Sequence, residues 1–238
     1  MATAYRIAGR MSAKDLTRID VESHFARSIR WVITETRPKR IVETGTYHGT
    51  GTTMVIASAL HENEIDDATF YSIEVNPKHV TRAKENLQSA GLSANILHGL
   101  SVPRTLLPTI QQIEQNLVKS VLADGLVVDH EETDRANRYF DETNFPELPD
   151  DLLGKVMHEF DDRPDFVLLD SGGHMGFVEF RYVIDTLRGP CILALDDIGH
   201  VKHYRSFETI RRDERFDILV ASEEKFGFCI AQYDPRRR

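Results

Sequence analysis

Residues 41–53, IVETGTYHGTGTT, place two β-branched apolar residues and an acid directly before a run of glycines and small hydroxyl residues. The run reads as a buried strand, a turn, and then the start of a helix, TTMVIASALHE. A triphosphate loop would need Lys-Ser or Lys-Thr after its last glycine, and no lysine occurs between Lys39 and Lys78. A dinucleotide fingerprint would need G-x-G-x-x-G, whereas Gly45, Gly49 and Gly51 are spaced G-x-x-x-G-x-G. What remains is E-x-G-x-x-x-G, from Glu43, Gly45 and Gly49. Glycines let the backbone turn sharply and approach a ligand, and a strand-end carboxylate suits an ammonium better than a phosphate.

Outward from this loop, strands and helices alternate. RIVET is followed by a second strand, FYSIEV, and then by NPKHVTRAKENLQSAG, a helix with Asn76 as N-cap, Pro77 at its first position and Gly91 at its end. ANILHG, PDFVLLD and GPCILALDD supply three more short apolar strands of the kind covered on both faces. FDILVAS and FGFCIAQYD are too close together for a crossover helix and form an antiparallel hairpin at one sheet edge. The pattern predicts a doubly wound, seven-stranded, mostly parallel Rossmann-like sheet. Upstream, Leu16, Ile19, Phe25, Ile29, Val32 and Ile33 predict an amphipathic helix over 12–37, opened by SAKD and closed by Pro38.

Residues 1–238 read as a single domain, since the chain is long enough for one buried core and is 41% hydrophobic. The stretch 102–164 exceeds what a crossover needs and carries two amphipathic patterns, Leu106 to Val121 and Leu152 to Phe160, around the acidic DHEETDRANRYFDETNFPELPDD. It is either a lid or dimerisation arm or a plain surface insertion. A homodimer would form through it or through the N-terminal helix.

Acidic residues outnumber basic ones by 38 to 29, for a net charge of −9, the wrong balance for nucleic acid or an anionic membrane surface. No apolar run approaches the roughly 20 residues that span a bilayer, and the N-terminus lacks the apolar core of a secretory signal. The expectation is a cytoplasmic protein acting on a small molecule, with Cys191 and Cys229 as buried small hydrophobes.

A cationic nucleoside, S-adenosylmethionine, answers the description of the glycine loop's ligand. Glu74, closing the second strand, stands where an acidic side chain can take both hydroxyls of a ribose, although a solvated strand-end Glu is the plainer reading. Taken together, IVETGTYHGTGT, YSIEVNP and HGLSVPRTLLPTI resemble the cofactor motifs of class I S-adenosylmethionine-dependent methyltransferases. They are most similar to the catechol- and caffeoyl-CoA-type small-molecule O-methyltransferases, over residues 39–110 and 164–233. The resemblance implies that Glu43, Gly45, Thr46, Tyr47 and Gly49 surround the methionine part, that Glu74 takes the ribose with Val75 against the adenine, and that Gly99, Leu100 and Ser101 form the adenine edge.

The fourth and fifth strands end in LLDSGGHMG and LALDDIGH, so Asp170, Asp196 and Asp197 are expected to meet at the carboxyl edge of the sheet. Three converging carboxylates call for a cation, and oxygen-only ligands suit a hard divalent ion such as Mg²⁺. In the metal-dependent O-methyltransferases that the motifs resemble, matching positions carry two Asp and an Asn; here Asp197 takes the place of the Asn. The catalytic lysine of the catechol type has no counterpart, since Gly173 stands at its position, followed by His174. His174 is therefore the candidate general base, with His200 an equal alternative and Asp170 beside the reacting atoms.

The expected function is transfer of a methyl group from S-adenosylmethionine to a hydroxyl of a small molecule, assisted by a divalent metal. Two other readings stay open. His200 and His203, three apart in DDIGHVKHY, would share a helix face beside Asp196 and Asp197 and fit non-haem iron in a hydroxylase or oxygenase of the same fold. A non-catalytic cofactor-binding module, docking a partner through the acidic insertion, is the second.

Overall fold

The computed structural model describes residues 20–109, 111–113, 137, 141, 144, 146–172 and 174–237. Seven strands form one sheet: β1 (Arg40–Thr44), β2 (Thr69–Glu74), β3 (Asn95–His98), β4 (Phe166–Leu169), β5 (Cys191–Asp196), β6 (Phe216–Ser222) and β7 (Phe228–Tyr233). Their order is β3-β2-β1-β4-β5-β7-β6. The first five pair in parallel, while β7 runs antiparallel to both β5 and β6. The hairpin expected from FDILVAS and FGFCIAQYD therefore inserts its second strand against β5 and leaves β6 as the edge.

Strand alternation gives the sheet two apolar faces. Ile41, Phe166, Leu168 and Ile230 pack against helices α1 (His24–Thr36), α2 (Thr52–Glu62) and α3 (Pro77–Ser89). Val42, Val167, Leu169 and Leu193 pack on the other face against α4 (Leu152–Glu159), α5 (Gly176–Thr186) and α6 (Tyr204–Ile210). Each fully buried Leu, Ile or Phe of this kind contributes roughly 1.5–3 kcal/mol of transfer free energy, so the core is set by the two faces and not by the polar strand ends. Cys191 and Cys229 are buried and free within it.

Local signals explain where the helices begin and end. Asn76 caps α3 by accepting the Lys78 amide at 2.9 Å, Pro77 occupies the first turn, and Gly91 follows at φ +67°. The single helix expected over 12–37 is shorter than its periodicity suggested. The Asp20 carboxylate takes the Glu22 amide at 3.0 Å, and the Ser23 hydroxyl takes the Ala26 amide at 3.2 Å, so the chain turns over 21–23 and α1 begins at His24. SAKD, Leu16 and Ile19 lie outside the described residues. The helix expected over Leu152 to Phe160 forms as α4. Most of its predicted partner, Leu106 to Val121, and of the acidic stretch after it lies outside the described residues.

Candidate functional site

The first five strands point their carboxyl ends the same way, and the loops that leave those ends carry the residues singled out in the sequence. The order reverses direction between β1 and β4, which is the crevice where open α/β sheets bind ligands. Gly45 lies at φ +87°, a conformation that disfavours side chains, and a Cβ there would run into the Asp170 carbonyl and the Ser171 amide. The loops after β1 and β4 thus touch through backbone. The turn is tied to the neighbouring strand as well, because the Gly45 amide donates to the Ile73 carbonyl at 3.0 Å.

Beneath that turn Glu43 is fully buried. Its Oε2 accepts the hydroxyls of Thr53 and Ser72, each at 2.6 Å, joining β1 to β2 and to the first turn of α2. Oε1 has no hydrogen-bond partner among the described residues. Burial outweighs the hydroxyl bonds and raises this carboxyl to about 7. Thr46 continues the network through a 2.5 Å contact between its hydroxyl and that of Ser72.

Glu74 ends β2 with little exposure. Its Oε2 accepts the Tyr47 amide at 2.7 Å and its Oε1 accepts the Asn76 amide at 2.9 Å, so the carboxylate is fixed in orientation by the two loops it separates. Oε1 also lies 3.4 Å from His79 Nδ1, and Oε2 still has a lone pair to offer. Tyr47, at φ +49° and 41% exposed, stacks on His48 at 3.8 Å and meets His79 edge-on at 4.6 Å, forming an aromatic lip over the turn. Beyond β3, Gly99 continues the ladder by donating to the Glu74 carbonyl. Leu100 is buried, and its amide donates to the Pro149 carbonyl at 2.8 Å.

At the ends of β4 and β5, ligand atoms of Asp170, Asp196 and Asp197 come within 4.8 Å of one another, the one such group among the described residues. Two residues that the sequence reading did not single out complete this centre. Lys202 is 5% exposed, and its ammonium pairs with Asp170 and, at 3.0 Å, with Asp197. Glu179 of α5 is fully buried and accepts the hydroxyls of Thr44 and Ser171, each at 2.8 Å, together with that of Ser101. It joins the loops after β1, β3 and β4. Lys202 lies five residues beyond Asp197 in DDIGHVKHY, where the histidines drew the reading; Glu179 sits in the apolar pattern of FVEFRYVI, where a lone acid at a core position was the available signal.

The electrostatics follow from burial and this one ammonium. Burial first, then the Asp170 and Asp197 charges, push Asp196 well above the usual carboxylate range. Asp197 is also penalised by burial, but Lys202 outweighs the penalty and holds it below its ordinary value. The oxygen donors alone suit a hard divalent ion. Lys202 Nζ is already paired with two of the three carboxylates, so an ion among them would meet a competing cation.

The histidine pair is arranged differently from the expectation. Residues 201–203 form a turn, and α6 starts only at Tyr204, so His200 and His203 do not share a helix face. His203 is fully buried, with Nδ1 at 3.1 Å from the Ser206 hydroxyl and Nε2 at 3.1 Å from the Leu169 carbonyl. Burial keeps it neutral, lowered to about 3. Both ring nitrogens are engaged in the fold, which removes the pair required for the iron reading. His200 is buried beside the acidic cluster and its Nδ1 accepts the Lys202 amide at 3.3 Å. His174 lies between β4 and α5, and its neighbour Gly173 is outside the described residues.

Comparison with solved structures finds chains of similar fold. An O-methyltransferase from Bacillus cereus in complex with SAH aligns at a TM-score of 0.56 and 14% identity, covering 93% of this chain and 86% of that one. The chain has the class I methyltransferase fold. A putative caffeoyl-CoA O-methyltransferase from Staphylococcus aureus aligns at 0.55 and 15% identity, over 93% and 88% of the two chains. The O-methyltransferase TomG from Streptomyces achromogenes, in complex with SAM, aligns at 0.52 and 13% identity, over 91% and 82%. No family model matches the sequence, and no curated protein does. Among the described residues, no helix is long and apolar enough to cross a membrane.

Proposed function

We propose that this protein transfers the methyl group of S-adenosylmethionine to a hydroxyl of a small molecule. The observation that carries the reading is the meeting of the Gly45 turn with Asp170 at the point where the strand order reverses, with the oriented Glu74 carboxylate alongside. The methionine part of the cofactor would lie over Gly45, Thr46, Tyr47 and Gly49 above Glu43. The ribose would lie against the Glu74 carboxylate, with the adenine between Val75 and Gly99, Leu100 and Ser101. Two solved structures of the same fold hold SAH or SAM, which supports the choice of cofactor.

In the reaction, the acceptor oxygen forms a bond to the methyl carbon as the carbon–sulfur bond breaks. The electron pair stays on sulfur, leaving the neutral thioether, and the hydroxyl proton passes to a base. We assign that proton to His174, with His200 as the second candidate, because both stand on the loops that flank Asp170 and Asp197. Most of the acceleration then comes from holding oxygen, carbon and sulfur in line. The transfer so described leaves Asp170 and Asp197 paired with Lys202.

Isothermal titration of the full chain with S-adenosylhomocysteine tests the reading. Micromolar binding is expected; absence of binding by protein whose circular dichroism shows it folded overturns it.

A further inference from the structure

Buried charges are costly unless paired, so a cluster of three acids at the sheet edge must be neutralised by something. In this chain part of that charge is offset by a covalently attached ammonium. Lys202 reaches both Asp170 and Asp197, and its backbone is pinned to hold that reach. Its amide donates to His200 Nδ1 at 3.3 Å, and its carbonyl occupies the space that a side chain at Gly176 would need. The next residue, His203, fastens the turn to the end of β4 through the Leu169 carbonyl. Such a lysine is placed by its own turn together with α5 and the end of β4 and, at 5% exposure, is not a surface side chain that happens to lie near acids. An ammonium is monovalent and cannot leave, whereas a divalent ion would have to displace it from both carboxylates before finding its own ligands.

We propose that Lys202 is the resident cation of this site, a positioning residue that holds Asp170 and Asp197 in fixed geometry and keeps a divalent ion out. The consequence for turnover, a methyl transfer insensitive to chelators, rests on the reading given above. The exclusion of the ion is a property of these side chains alone.

The test is titration of the full chain with Mn²⁺, read by the electron paramagnetic resonance signal of the free ion, beside S-adenosylhomocysteine titrations with and without EDTA. Wild-type protein is expected to leave the Mn²⁺ signal undiminished and to bind S-adenosylhomocysteine equally with and without EDTA. Lys202→Met, which empties the place between the carboxylates, is expected to bind Mn²⁺ more tightly than wild type by roughly tenfold or more. The added Asp170→Asn change is expected to abolish that gain. Stoichiometric Mn²⁺ binding by wild type that is lost in Asp170→Asn overturns the proposal, and so does a folded Lys202→Met that leaves Mn²⁺ free. Where Lys202→Met does not fold, the wild-type titration decides: free Mn²⁺ supports the proposal and bound Mn²⁺ overturns it. Failure of wild type to bind S-adenosylhomocysteine counts against the methyltransferase reading and leaves the Mn²⁺ result standing.

Discussion

Glu179 Oε2 accepts the Thr44 hydroxyl at 2.8 Å, joining the end of β1 to a helix that lies 135 residues further along the chain. The same carboxylate also takes the hydroxyls of Ser101 and Ser171, so one buried acid sets the spacing of three loops around the proposed cofactor site. Burial holds its carboxyl above the usual range even with those three donors. Glu179→Ala leaves three hydroxyls without their acceptor, and a loss of about 2–4 kcal/mol in urea unfolding is expected. S-adenosylhomocysteine binding should weaken in the same variant, whereas Glu179→Gln, which keeps an acceptor, should lose less of both. Equal stability of Glu179→Ala and wild type would show that the network does not organise the loops.

Gly45→Ala tests the contact at the switch point. The residue sits at φ +87°, and the new methyl group would meet the Asp170 carbonyl. Backbone strain of this kind costs roughly 1–3 kcal/mol, and displacement of the loop is expected to remove most S-adenosylhomocysteine binding. Calorimetric titration next to a melting curve separates the two effects; unimpaired binding would mean that the turn is not where the cofactor lies.

Glu74 is predicted to act on the ribose. Loss of a hydrogen bond to a charged group costs about 1.5–3 kcal/mol, so Glu74→Ala should weaken S-adenosylhomocysteine by roughly 10- to 100-fold. Glu74→Gln keeps a carbonyl oxygen for one of the Tyr47 and Asn76 amides and turns its NH2 toward the other, so it should bind less tightly than wild type and more tightly than Glu74→Ala. Titration of both variants against wild type checks this, and unchanged affinity would move the ribose elsewhere.

Two buried groups give opposite pH slopes. Glu43 is raised to about 7 in the folded chain, so between its ordinary value of 4.5 and 7 the folded state binds more protons than the unfolded state, and stability falls as pH rises. The penalty amounts to roughly 3 kcal/mol by pH 7, since each pH unit across such a gap is about 1.4 kcal/mol. His203 is lowered to about 3, so below its ordinary 6.5 the unfolded state binds the proton and stability is lost as pH falls. The two partly offset each other in wild type, so the difference between variant and wild type is the quantity to read. Glu43→Gln, measured by denaturant unfolding at pH 5 and pH 7.5, should gain on wild type at the higher pH relative to the lower. A constant difference between the two pH values would contradict the buried, raised carboxyl.

The parts of this protein legible in its sequence are those governed by short-range rules. The β1 turn, the Asn76 cap with Pro77, the alternation of strands and helices and the antiparallel last hairpin each depend on residues a few positions apart. The same locality misled the reading of the first helix. The apolar spacing ran from Leu16 to Ile33, but the Asp20 and Ser23 side chains bond to the backbone and α1 begins only at His24.

The sequence by itself determined which residues stand at the carboxyl ends of the strands, because a parallel strand that ends in Glu43, Glu74, Asp170 or Asp196 must deliver that acid to the same edge. Only the tertiary structure decided how those acids are neutralised. Spacing in DDIGHVKHY pointed to the histidines, and the turn at residues 201–203 sent His203 into the fold and Lys202 onto Asp170 and Asp197. Periodicity and capping act over one or two turns of chain, whereas the pairing of a buried charge is settled by which groups the crossovers bring within a few ångströms, and that distance is not written in any one segment.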